Sequence, residues 1–181
     1  SVILQAAVNG LGSIIVAAVT AAGKISMFLC CPFDALGSTM ATYAGQNIGA
    51  GKLERISEGI KKSMIIGSVY STVALMISVF FGKSLALLFV NENEIEILAK
   101  VSENLIIIAA FYIPLWIVNV VRFTIQGMGY STFAILAGVC EMIARALCGF
   151  ILVPIFGYVA VCLASPVAWI FADAFLIPAY K

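Results

Sequence analysis

Three groups of residues have the types and spacing that chemistry requires. The first is the run "GQNIGAGK" at 45–52, which ends in the Gly-Lys pair of a phosphate-cradling loop. Such a loop needs four residues between its first glycine and that pair, then Ser or Thr to hold magnesium. Here five residues separate Gly45 from Gly51, Gln46 stands where the glycine must be, and Leu53 follows Lys52. No buried strand precedes the run either. The sequence therefore argues against nucleotide binding. The run reads as a helix end, with Gly49 and Gly51 free to take a left-handed cap and Lys52 and Arg55 set against the helix dipole.

The second group is a set of charges lying inside long apolar runs. Asp34 falls near the middle of one, where an unpaired charge costs at least about 2.5 kcal/mol, so it must face protein or a wet cavity. It has two readings: a group on a substrate or cation pathway, or a structural partner for the break made by Pro32. Glu141 and Arg145 stand four apart with the acid first, which puts them on one helix face in the favourable order for pairing. That pair is either structural or part of a pathway that opens during gating. Arg122 lies close enough to a span end to snorkel and is expected to anchor its helix. Asp173, in the last run, is given no role.

The third group is polar or aromatic. Gln46, Asn47, Gln126 and Gly127 lie where helices meet one membrane face, and the amides are expected to satisfy backbone groups released at glycine breaks. Phe111, Tyr112 and Trp116 offer ring faces to a flat cation. Trp116 and Trp169 serve equally well as packing or lipid-facing residues. The cysteines Cys30, Cys31, Cys140, Cys148 and Cys162 sit in apolar runs without C-x-x-C spacing, and the chain has no histidine. They read as small buried hydrophobes, and no metal or cofactor is expected.

The elements that must carry these residues are membrane helices. Of 181 residues 63% are hydrophobic and only 10% charged, with a mean hydropathy of +1.13. A soluble domain of this length needs far more charge to cover its surface. A formal net charge of +1, with no basic stripe, argues against nucleic acid as a partner. Apolar runs of about 20 residues, enough to cross a hydrocarbon core, predict five spans and one clipped one. They lie at 1–9 (clipped), 24–47, 63–81, 104–125, 132–153 and 158–179, within a single membrane domain, 1–181. The stretch 10–23 reads as a turn and re-entry, and Pro32 and Asp34 interrupt the second span. Residues 82–100, with Glu92, Glu94 and Glu96, read as a surface segment. The connections "QGMGYS" and "PIFG" are short enough to require antiparallel neighbours. Lys52, Arg55, Lys61 and Lys62 place loop 48–62 on the cytoplasmic side, and alternation puts Lys181 there too. The chain opens without methionine or a charged leader and is expected to be part of a longer one.

The run "PFDALGSTMATYAGQNIGAGKLERISEGIKK" closely resembles the second helix and following loop in the second half of the multidrug and toxic compound extrusion (MATE) transporters. "RFTIQGMGYS", "AGVCEMIAR" and "FGYVAVCLASPVAW" resemble the fourth helix end, fifth helix and sixth helix of that half, in the family's order. The resemblance implies an all-α polytopic protein: a six-helix bundle, its first helix truncated, as one lobe of a twelve-helix transporter. It implies sodium- or proton-coupled antiport that expels drugs or toxic organic compounds, often cationic, across the plasma (inner) membrane. The partners would be a missing N-terminal lobe and the lipid bilayer. Some sodium-coupled members use carboxylates in the first and fourth helices of this half. Those spans hold none here, and Glu103 at the outer margin is the nearest acid, so a coupling acid is expected in the other half. The alternative is a half-size membrane protein that does not transport and associates with a partner. A membrane enzyme lacks support: there is no histidine, no HExxH and no spaced acidic cluster.

Overall fold

A computed structural model of the chain describes residues 2–180. Lys181, expected on the cytoplasmic side, lies outside the described residues. The elements are α1 (Val2–Asn9), α2 (Ser13–Gly49), α3 (Leu53–Ala86), α4 (Ile95–Ala110), α5 (Tyr112–Gly127) and α6 (Ser131–Leu147). A π-helical turn (Cys148–Leu152), α7 (Val153–Phe156) and α8 (Tyr158–Tyr180) follow. Helix is the dictated choice, because lipid offers no partner for backbone N–H and C=O groups. α2, α3, the run Ser131–Phe156 and α8 are each long and apolar enough to cross a membrane, and α4 with α5 makes a fifth candidate, bent by 53°.

Several boundaries differ from those read in the sequence. Residues from Ser13 onward belong to α2, so the expected re-entry at 10–23 is only a turn around Gly12, whose φ is 104°. Pro32 does not interrupt the helix. The backbone it loosens is braced by the Tyr70 hydroxyl, which donates to the Leu29 carbonyl at 2.9 Å, and by the Cys31 thiol, which donates to Met27 O at 3.2 Å. Asp34 takes no part in that repair. The expected straight span 104–125 is broken at Phe111 instead. The cause is Pro114, which lacks an N–H and whose ring pushes against the carbonyl four residues back, at Ala110, the last residue of α4. α4 also begins at Ile95, inside the expected surface segment. A similar strain at Pro154, directed at Phe150, is absorbed by the π-helical turn that contains Phe150.

Packing follows the rule for helices in lipid, where close approach of small residues replaces the hydrophobic effect. The buried face of α3 is Ser63, Gly67, Ser71, Ala74, Ser78, Gly82 and Ala86, while Ile65, Val69, Met76 and Phe80 point outward. The serines donate back to their own helix, Ser71 to Gly67 O at 2.7 Å and Ser78 to Ala74 O at 2.9 Å, so they enter the core without an unpaired hydroxyl. α2 crosses α5 on Gly37, Ala41 and Gly45, spaced every four residues. A Cβ on Gly37 would sit 2.6 Å from the Phe123 ring, and one on Gly127 of α5 would fall 2.7 Å from Ala41 Cα and collide with the Ala41 carbonyl oxygen. The central core gathers Phe33, Tyr70 and Tyr112, with ring centroids 5.0 and 5.4 Å from Phe33.

Candidate functional site

Two polar features stand out in this apolar bundle. The first is a strip along α2 formed by Cys31, Asp34, Ser38, Thr42 and Gln46, all exposed. The spacing of three or four residues keeps them on one side of the helix. Asp34 is held there from α5: Asn119 Nδ2 donates to its Oδ1 at 2.8 Å, and Asn119 is itself 7% exposed. The crossing at Gly37 and Gly127 makes that contact possible, because it brings the α5 backbone within reach of a short aspartate side chain. Thr42 bonds back to Ser38 O at 3.3 Å, and Thr39 to Ala35 O at 2.8 Å.

The second feature is a charged cluster between α5, α6 and α8. Glu141, 8% exposed, accepts hydrogen bonds from two guanidiniums: Arg122 Nη2 reaches its Oε1, and Arg145 Nη2 reaches Oε2 at 3.3 Å. The side chains of Arg122, Arg145 and Glu141 are 22%, 30% and 11% exposed. The i,i+4 contact between Glu141 and Arg145 thus forms, and Arg122 joins it. Arg122, expected to anchor its helix, instead pairs with an acid on the neighbouring helix. Buried Asp173 of α8 lies within electrostatic reach of Glu141.

The aromatic residues require a second correction. Tyr112 and Trp116 are 0% and 3% exposed, so they pack the core. The Trp116 ring packs against α3, where a Cβ on Gly67 would come 2.7 Å from Cδ2. Trp169 is also buried, and Phe111 half-buried. The amides likewise do not close the glycine breaks. Asn47 Nδ2 donates to Tyr43 O in its own helix at 2.8 Å, and Gln46 and Gln126 are exposed. The backbone closes the end of α2 by itself: Gly51, at φ 67°, allows its N–H to reach Ile48 O at 2.9 Å and that of Lys52 to reach Asn47 O at 2.8 Å. Gly49 stays within the helix.

Sequence reading missed the Asn119–Asp34 and Arg122–Glu141 contacts because each joins residues on different helices. Pro114 was the available sign of the α4–α5 break. A groove of about 220 Å³ beside the π-helical turn is lined by Ala144, Leu147, Cys148, Val167 and Phe171 and offers no charged group. No cluster of three or more acidic, cysteine or histidine side chains able to hold a metal occurs among the described residues.

The MatE family model matches residues 1–159. No match is found among curated proteins. A MOP superfamily transporter from Pyrococcus furiosus has the same fold, with a TM-score of 0.83 and 20% identity over 97% of this chain. The chain spans 39% of that transporter's length. The transporter is described as having a binding pocket of reverse polarity that suggests a different function. That relative overturns the expectation of cation-coupled drug efflux, since this fold also serves a protein of reversed pocket polarity. Asp34, a candidate for a substrate or cation pathway, accepts a hydrogen bond from an amide, and Glu141 from two guanidiniums.

Proposed function

The chain belongs to the MatE family, and we propose that within it the chain acts as one helical lobe that moves no solute by itself and docks against a second lobe. Membership of a transporter superfamily places it outside the enzymes. One observation carries the docking reading: α2 presents Cys31, Asp34, Ser38 and Thr42 on its free face, whereas α3 and α6 present Ile65, Val69, Phe80, Ile135, Met142 and Ile143. A carboxylate in mid-span facing lipid would cost several kcal/mol, about 2.5 or more. The large apolar faces suit acyl chains, and the polar face suits a wet cleft or a second bundle of helices.

On this reading the chain is a six-helix lobe, counting the short α1, in a twelve-helix assembly. It sits in the plasma membrane with residues 48–62, the end of α2 and the start of α3, on the cytoplasmic side. The length of the Pyrococcus furiosus transporter, of which this chain spans 39%, supports a second lobe as the occupant of the α2 face.

Cys31 is exposed on that face and supplies the test. In native membranes, with the other four cysteines replaced by alanine, Cys31 is expected to react with a water-soluble maleimide or to form a cross-link with the second lobe. Phe80→Cys, on the lipid face, is expected to do neither, because a thiol ionises only where water reaches it. If Cys31 proves as silent as Phe80→Cys, its face lies in lipid and the docking reading fails. If proteoliposomes holding only residues 1–181 move solute, the non-transporting part fails.

A further inference from the structure

Where α2 meets the segment that follows α3, a cavity of about 230 Å³ is lined by Thr20, Ala21 and Lys24 on one side and by Phe89, Glu94 and Ile97 on the other. It holds two opposite charges that do not meet. The Lys24 ammonium rests over the Phe89 ring, 5.7 Å from its centroid, and joins no ion pair among the described residues. Glu94 stands at the N-cap of α4, yet its carboxylate makes no capping hydrogen bond and has no cation partner among the described residues. Thr20 spends its proton on Val16 O at 2.7 Å, which leaves its oxygen able to accept. The cavity thus offers one unpaired ammonium and one unpaired carboxylate to whatever enters.

Its depth follows from helix length. About 37 Å of α2 separates Lys24 from Gly49, the end beside Lys52 and Arg55. About 31 Å of α3 separates Lys62 from Lys83. A hydrocarbon core is about 30 Å thick, so with the basic residues of 52–62 in one headgroup layer, Lys24, Lys83 and the segment after α3 lie in the other. Large apolar side chains are exposed on that same segment, Leu88 at 72% and Ile95 at 76%. A second hollow, of about 410 Å³, shares Glu94 and Ile97 with the first and is lined by Ile14 and Ile95 as well. Charged and large apolar groups side by side at headgroup depth suit an amphiphile.

We propose that this cavity binds the headgroup of a phosphatidylethanolamine, with the phosphate on Lys24, the primary ammonium on Glu94 and the apolar end of the lipid against Ile14 and Ile95. The ligand must carry both charges. A purely anionic headgroup satisfies Lys24 but leaves Glu94 unpaired, with Glu92 and Glu96 close by in the chain. A choline headgroup has both charges, but its quaternary ammonium donates no hydrogen bond and is recognised by a cage of aromatic faces. Among the described residues lining the cavity Phe89 alone has such a ring, and Lys24 already lies over it. Lys24 stands on the same side of α2 as Cys31, two turns on, so the lipid sits at one end of the face assigned to the second lobe. This goes beyond the docking reading: every group belongs to this chain, and lipid retention by residues 1–181 does not depend on a second lobe.

The test is native mass spectrometry of the chain released from micelles that contain equal amounts of dioleoyl phosphatidylethanolamine, phosphatidylcholine and phosphatidylglycerol. One phosphatidylethanolamine is expected to stay bound in preference to the other two. Lys24→Gln and Glu94→Gln should each reduce that occupancy about fivefold. Lys83→Gln, at the same depth but outside the cavity lining, should leave it unchanged. All three residues are exposed, so the fold does not rest on them. Equal retention of the three lipids, or an occupancy that either Lys24→Gln or Glu94→Gln leaves intact, overturns the site. Water-soluble glycerophosphoethanolamine carries the same two charges without acyl chains and should compete only weakly. If it displaces the lipid at equimolar concentration, the cavity takes a free zwitterion and the lipid assignment is overturned.

Discussion

Gly127→Ala should separate α5 from α2. A Cβ at this position would lie 2.7 Å from Ala41 Cα and 2.8 Å from Ala41 C, against 3.4–4 Å for ordinary contact, so the two backbones must part by at least about 0.7 Å. The obstacle is backbone, which cannot rotate away as the end of a long side chain can. Overpacking of this kind costs about 1–3 kcal/mol, and ~2 kcal/mol is about a 30-fold fall in the folded-to-unfolded ratio. Gly138→Ala on α6 is the control, because nothing lies within 4 Å of its added Cβ; its better helix propensity should leave it neutral or up to about 1 kcal/mol more stable. The assay is reversible unfolding in mixed micelles, followed by emission from the buried Trp116 and Trp169. If Gly127→Ala loses no more stability than Gly138→Ala, the close crossing of α2 and α5 is refuted, and the support for Asn119 at Asp34 goes with it.

Other expectations follow from the ion pairs and hydrogen bonds. Glu141→Gln leaves two partly buried guanidiniums without their acid and should cost about 3 kcal/mol, with most of that recovered when Arg122 and Arg145 are also replaced by methionine; no recovery in the triple variant would show that Glu141 acts by some other contact. Asn119→Ala removes the donor at Asp34 and should cost about 1 kcal/mol in the same unfolding assay, while Asp34→Asn combined with it should add little; fully additive losses would mean that the two residues are not coupled. The Glu58–Lys62 pair, 2.8 Å apart on the exposed start of α3, holds the Glu58 carboxyl below its usual range through the Lys62 hydrogen bond and charge, and Glu58 in turn holds Lys62 above its own. The Glu58 contribution is therefore present above the ordinary glutamate pKa and lost as pH falls through the lowered value. The Lys62 contribution is present below the ordinary lysine pKa and lost as pH rises through the raised one. Since both side chains are solvated, Glu58→Gln should leave the unfolding midpoint at neutral pH within error.

The sequence by itself determined that this is a multi-pass helical membrane protein. Long apolar runs leave the backbone no partner but itself, and that constraint is local, so composition and run length suffice to read it. The left-handed Gly51 at the end of α2 and the Glu141–Arg145 contact were legible for the same reason, since a cap and an i,i+4 pair are both set within a turn or two of one helix. The break at Phe111 was also written locally, in Pro114, although hydropathy runs straight through it. Tertiary structure alone decided which helices meet. It placed Arg122 against Glu141 and Asn119 against Asp34, and it put Tyr112 and Trp116 in the core, because the distance across a helix interface is not a function of spacing along either chain. It also decided that Cys31, Asp34, Ser38 and Thr42 of α2 stay exposed on one side of that helix.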